Sequence, residues 1–227
     1  MERDQSFKRE IKSYVLRAGR LSHSQRTARD KFSSKYALPF NYSKLDFQLV
    51  FHNSHPTYLE IGFGMGDATI SIAKQFPKCN FVGIEVHPPG VGRVMSLCEK
   101  NNLRNLKVIE HDAVEVVQNM FDRESLSGIH IFFPDPWPKK RHHKRRLINT
   151  RFIELITPLL VRRGYLHVAT DWNDYAEEII SKVNNAENHL QKASQNKSLL
   201  SARPKTKFET RGIERGHKIW DLIFQRS

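Results

Sequence analysis

The stretch that most constrains this chain is Tyr58-Leu-Glu-Ile-Gly-Phe-Gly-Met-Gly-Asp67. Strand-forming residues carry one acid, Glu60, and then break into three glycines at alternate positions, Gly62, Gly64 and Gly66. Ile72 and Phe76 follow at helical spacing, so the segment predicts a strand, a tight glycine turn and a helix. That is the nucleotide-binding corner of a doubly wound sheet. A glycine corner alone names no ligand, because a turn that only needs positive φ asks for the same residues.

The acids around the corner narrow the ligand. The glycine spacing is not the G-x-G-x-x-G of a pyrophosphate binder, and Glu60 within the strand would repel a diphosphate but suit an ammonium group. The next apolar run, 80–86, places Glu85 near its end, where a carboxylate can take both hydroxyls of a ribose. A third run, 106–112, ends on Asp112, positioned to accept from an adenine amino group. An acid for an amine, one for a ribose and one for an adenine together describe S-adenosylmethionine, which has no phosphate.

Charge speaks to the partner. Among 227 residues, 37 Lys and Arg stand against 24 Asp and Glu, a formal net charge of +13. Such an excess points to a polyanion or an anionic membrane surface. No apolar stretch is long enough to span a bilayer and the charged start has no signal-peptide core, so nucleic acid is favoured and no membrane is expected. The two cysteines form no C-x-x-C pair; neither a zinc site nor a disulfide framework is expected, no metal is called for, and a cytoplasmic location fits. Residues 1–37 read as a basic N-terminal arm without sustained apolar period, either solvated and flexible or ordering on RNA. Residues 38–227 form the domain proper.

Along that domain, strands alternate with helices. Further strands are expected at 128–133 and 165–169, a helix between them at 148–161, a short strand within 186–201 and a last strand at 217–224. Repeated strand-then-helix units imply right-handed crossovers. The expectation is an α/β fold, a doubly wound, mostly parallel seven-stranded sheet of Rossmann-like type. The strand at 128–133 runs into Pro134-Asp135-Pro136-Trp137-Pro138. Asp135, held between prolines at a strand's carboxyl end, lies where open sheets bind ligands. Trp137 offers a flat face to a base; the alternative is a rigid proline turn around a buried Trp. The run Lys139 to Arg146 follows, eight basic residues suited to an RNA backbone. Asp171 and Trp172 end the strand at 165–169, and a second basic segment spans 203–212.

Together, Leu59-Glu-Ile-Gly-Phe-Gly-Met-Gly66, Gly83-Ile-Glu-Val-His87, Phe133-Pro-Asp-Pro-Trp-Pro-Lys-Lys140, Lys144-Arg-Arg146, Ala169-Thr-Asp171 and Thr206-Lys-Phe-Glu209 resemble the tRNA (guanine-N7)-methyltransferase family of class I S-adenosylmethionine-dependent enzymes. The resemblance runs from Tyr58 to the C-terminus in order and spacing. It implies methyl transfer to the guanine at position 46 in the tRNA variable loop. It implies that Glu60, Gly62, Gly64, Gly66, Glu85 and Asp112 contact cofactor, and that Asp135 is catalytic and lies at the cofactor. It assigns Lys139, Asp171, Thr206, Lys207, Phe208 and Glu209 to substrate, and Lys140, Arg141, Lys144, Arg145 and Arg146 to RNA. Eukaryotic members depend on a WD-repeat partner while bacterial ones act alone, and no obligate protein partner is expected here.

The chemistry stands beside the resemblance. Guanine N7 carries a free lone pair, so alignment matters more than a base, and a carboxylate at Asp135 would stabilise the cationic ring that forms. Asp171 or Glu209 could accept from the guanine Watson–Crick edge. Two rivals remain at this point: an adenine or cytosine amino-methyltransferase, whose usual motif is Asn/Asp-Pro-Pro-aromatic, and a non-catalytic RNA-binding module.

Overall fold

A computed structural model describes residues 11–15, 20–185, 190–193 and 203–227. Its strands are β1 (Thr57–Ile61), β2 (Asn80–Glu85), β3 (Leu106–Glu110), β4 (Leu126–Phe132), β5 (Leu160–Thr170), β6 (Leu190–Lys192) and β7 (Trp220–Arg226). They form one seven-stranded sheet in the order β3-β2-β1-β4-β5-β7-β6, with β7 antiparallel to its two neighbours. β1 pairs in parallel with both β2 and β4, so the strand order reverses there and opens a crevice beyond their carboxyl ends.

Every residue of β1 and β2 is buried, as both faces of the sheet are covered. Leu59, Ile61, Val82 and Ile84 pack on the side of α5 (Ala113–Asn119), α6 (Thr150–Ile156) and α7 (Asn173–Asn185). Tyr58 and Phe81 pack on the side of α1 (His23–Tyr36), α3 (Asp67–Gln75) and α4 (Pro88–Lys100). A short α2 (Phe47–Phe51) closes the first face, and α8 (Lys207–Glu214) precedes β7.

The structure differs from the sequence expectations in three places. The basic arm expected over 1–37 is folded onto the domain from residue 22 onward. Ser22 forms a capping box with Gln25, and Ala28, Phe32 and Tyr36 recur every fourth residue to pack against α4. Tyr36 is 1% exposed, its hydroxyl donates to Glu99 at 2.7 Å, and Leu38 N donates to Val108 O at 2.8 Å. The arm's cations are partly engaged: Arg29 pairs with Glu110 and Lys35 with Glu99. Second, the helix expected to reach residue 161 ends at Ile156, because Pro158 disfavours helix at the residue before it; a 3-10 turn at Thr157–Leu159 leads into β5, which starts at Leu160 rather than 165. Third, the basic stretch 203–212 contains the start of α8, capped by a box between Thr206 and Glu209. Of the strand expected within 186–201, β6 is the described part; 186–189 and 194–202 lie outside the described residues. Among the described residues, no helix is long and apolar enough to cross a membrane.

Candidate active site

A cavity of ≈ 330 Å³ occupies the crevice at the carboxyl ends of β1, β2 and β4. Glu60, Gly62, Gly64, Gly66 and Glu85 line one part of it; Phe133, Asp135, Thr206 and Phe208 line another. The glycine turn takes φ of 76°, 56° and 75° at Gly62, Gly64 and Gly66. A Cβ on Gly66 would meet Val94 Cγ2 at 2.0 Å, so close packing on α4 also demands glycine there. A Cβ on Gly62 or Gly64 would meet nothing within 4 Å. The bare backbone of the turn therefore faces open space that a ligand can enter.

Glu85 is the fastener of this turn. Its Oε2 accepts from Gly64 N at 2.7 Å, and Oε1 accepts from Val86 N at 2.7 Å and His87 N at 3.0 Å. Glu60 is 7% exposed on the cavity wall, and burial, reinforced by the nearby Glu85 carboxylate, pushes its carboxyl up to about 7. Only the Thr69 side chain works against that rise, so the buried acid is suited to a cationic partner. The acids, the open glycine backbone and the apolar lining of Ile61, Phe63, Ile84 and Phe132 fit S-adenosylmethionine, which carries an ammonium group and a sulfonium centre and no phosphate.

Asp135 sits exposed in the turn after β4. That turn is strained on both sides of it, at Phe133 (φ 52°) and Trp137 (φ 46°), positions a bulky side chain seldom adopts. Phe133 N donates to Ala169 O at 2.7 Å. Trp137 Nε1 donates to Ser13 O at 3.0 Å, and the Arg145 guanidinium lies 4.9 Å above its ring. Trp137, expected to offer a face to a base, is thus largely engaged within the protein. The N-terminal segment reaches the same place: Ser13 and Tyr14 line the cavity, and Lys12 Nζ pairs with Glu115 at 2.8 Å and Asp112 at 3.1 Å.

Comparison with known proteins decides the family. Residues 54–222 match a family model described as "Putative methyltransferase". A tRNA (guanine-N(7)-)-methyltransferase of Nitrosospira multiformis is 48% identical over 219 residues, 96% of this chain and 95% of that protein. One of Methylobacillus flagellatus is 47% identical over 226 residues, 99% of this chain and 94% of that protein. The chain belongs to the tRNA (guanine-N(7)-)-methyltransferase family. In fold it is similar to the crystal structure of the 16S rRNA methyltransferase KamB, with a TM-score of 0.60 at 14% identity, covering 83% of this chain and 95% of that one.

Within this tRNA (guanine-N(7)-)-methyltransferase family member, the residues expected at the site do not all meet. Glu60, Gly62, Gly64, Gly66, Glu85, Asp135, Thr206 and Phe208 share the cavity. Asp112 is set back: Oδ1 accepts from Val114 N at 2.8 Å to cap α5 and Oδ2 faces Lys12, while its neighbours His111 and Ala113 line the cavity. Asp171 lines a second concavity with Trp172, His217 and Trp220, and its Oδ2 lies 3.2 Å from His217 Nδ1. Glu209 is buried and engaged by the α8 cap and by Arg203. Lys139, Lys140, Arg141 and Lys144 are exposed, whereas Arg146 is buried. The side chain of Lys207 lies outside the described residues.

Arg203 was not legible as a site residue. Its guanidinium binds Asp221 through two contacts of 2.9 Å and Glu209 at 2.6 Å, and it lies 5.7 Å from the ring centroids of Phe132 and Phe133. It therefore fastens the start of α8, with Thr206 and Phe208, to the end of β4. The Thr-x-x-Glu cap pattern at 206–209 was the available signal for that helix.

Proposed function

We propose that the protein transfers the methyl group of S-adenosylmethionine to N7 of a guanine in tRNA, at position 46 of the variable loop, with Asp135 as the catalytic residue. One observation carries the reading. A single cavity joins a cofactor wall of Glu60, Glu85 and the glycine turn to a second wall of Asp135, Thr206 and Phe208. The named relatives at 47–48% identity support the same activity.

When bound, S-adenosylmethionine supplies a methyl group activated by the positive charge on sulfur. Glu60 pairs with the ammonium group, Glu85 accepts from the ribose, and Asp112 with its neighbours borders the adenine side. Guanine N7 needs no deprotonation, so holding the ring in line is the protein's main task, a contribution of about 7–11 kcal/mol. The ring becomes positive as the new bond forms. The Asp135 carboxylate at the cavity wall opposes that charge, which strengthens its interaction in the transition state over the ground state. Phe208, 60% exposed and stacked on Phe133 with centroids 6.3 Å apart, gives the incoming base an apolar wall. Lys139, Lys140, Arg141 and Lys144 take phosphates beside it. The protein works on tRNA in the cytosol and needs no protein partner.

Asp135→Asn tests the role directly. The amide keeps the shape and one acceptor but loses the charge, so turnover falls far more than tRNA affinity. Turnover at the wild-type level in that variant would contradict the assignment.

A further inference from the structure

Arg146 ends the basic run, yet its side chain is only 1% exposed. Nε donates to Pro136 O at 2.9 Å, Nη2 to Asp174 Oδ2 at 2.6 Å and Nη1 to Glu178. The guanidinium also lies 4.8 Å from the centroid of the Tyr175 ring, on the same helix as the two acids. Tyr175 is fully buried and its hydroxyl accepts from Ile148 N at 3.0 Å. Arg146 thus connects the carbonyl of the residue after Asp135 to α7, a helix rooted in the core.

The turn it reaches needs such support. Phe133 and Trp137, two residues to either side of Asp135, both hold positive φ. Conformations of this kind are costly for bulky residues and persist only where the surroundings over-determine them. Proline at 136 has no N–H, so that residue can be gripped only through its carbonyl. A lysine could not replace the grip, since a single ammonium cannot present the planar fork that spans a carbonyl and two carboxylates. Enclosed and neutralised by Asp174 and Glu178, the guanidinium has no path to a phosphate.

We infer that Arg146 is a positioning residue for Asp135, aiming its carboxylate through Pro136 O, and is not an RNA contact. The inference rests on the catalytic role proposed for Asp135.

The test compares wild type with Arg146→Lys, the double variant Asp174→Asn/Glu178→Gln, and Asp135→Asn. Single-turnover rate at saturating tRNA, tRNA affinity across a salt series, and thermal melting are measured for each. Arg146→Lys lowers the rate about 10- to 100-fold, the scale of a displaced reacting group, with tRNA affinity and salt slope unchanged. The double variant lowers the rate in the same direction. It removes negative charge, so it cannot weaken RNA binding by loss of a cation, and its tRNA affinity is equal or higher. A wild-type rate in Arg146→Lys would overturn the inference, because lysine keeps the charge that a phosphate contact needs and loses only the planar fork. Should Arg146→Lys fail to fold, the double variant decides, and a wild-type rate there overturns it. A wild-type rate in Asp135→Asn would instead remove the proposed role of Asp135, which separates the two failures.

Discussion

Gly64 donates its amide to Glu85 Oε2 at 2.7 Å, so the acid that ends β2 is bound to the glycine turn that follows β1. The same carboxylate accepts from Val86 N and His87 N. The residue expected to hold a ribose is therefore also what shapes the turn around it. In the proposed reading, recognition and architecture share one side chain.

Glu85→Gln turns one acceptor into a donor facing backbone amides. Affinity for S-adenosylmethionine then falls by about 1.5–3 kcal/mol, the range for hydrogen bonds to a charged group. Calorimetric titration checks this, and wild-type affinity would remove Glu85 from the cofactor site.

The role proposed for Glu60 makes cofactor binding depend on pH. Its carboxyl, raised to about 7 mainly by burial, must ionise to meet a cation. Binding therefore weakens as pH falls below about 7, approaching tenfold per unit, and each binding event releases a proton. Titrations in buffers of different ionisation enthalpy measure that proton. Glu60→Gln binds more weakly and shows neither effect; a pH-independent wild type would contradict the account.

His130 governs acid stability. Burial, with His167 nearby, holds its imidazole down at about 3, and its Nε2 lies 2.8 Å from the Tyr165 hydroxyl. The folded protein keeps it neutral while the unfolded chain protonates it below about 6.5. Its contribution is thus intact above about pH 6.5 and declines by about 1.4 kcal/mol per unit as pH falls towards about 3. Glu60 acts in the opposite sense, losing stability as pH rises from about 4.5 towards 7, so the comparison is with His130→Asn. The stability difference between the two proteins in urea unfolding shrinks on going from about pH 6 to about pH 5. A constant difference would rule out this role.

Much of the fold and the cofactor wall was legible because each is written locally. The glycine turn, the acids near strand ends and the proline-flanked Asp135 lie within short segments whose backbone chemistry fixes their direction. α1 was readable in principle from Ala28, Phe32 and Tyr36 every fourth residue and the Ser22–Gln25 cap, but the surrounding charge obscured it. What the sequence hid is pairing at a distance. Arg146 and Arg203 look like their basic neighbours until the fold brings Asp174 and Glu178, or Asp221 and Glu209, against them. Glu209 and Asp112 read as ligand-facing acids although each caps a helix, a local role rather than a distant pairing.

The exposed part of the basic run is the part proposed to bind RNA. Lys140→Ala/Arg141→Ala/Lys144→Ala weakens tRNA binding and lowers the log–log salt slope by about 0.7–0.9 for each phosphate the variant leaves without its cation. S-adenosylmethionine affinity stays at the wild-type level. An unchanged salt slope would make the run an ordinary solvated surface.

The central claim concerns one atom, N7 of a tRNA guanine. The most direct measurement is methyl transfer to tRNA carrying 7-deazaguanine at position 46, alongside the unmodified tRNA. One ring nitrogen contributes little to an interface built on phosphates, so the modified tRNA binds nearly normally. With a C–H in place of the lone pair it accepts no methyl group. Transfer to that substrate at close to the normal rate would place the nucleophile on another atom and contradict the account.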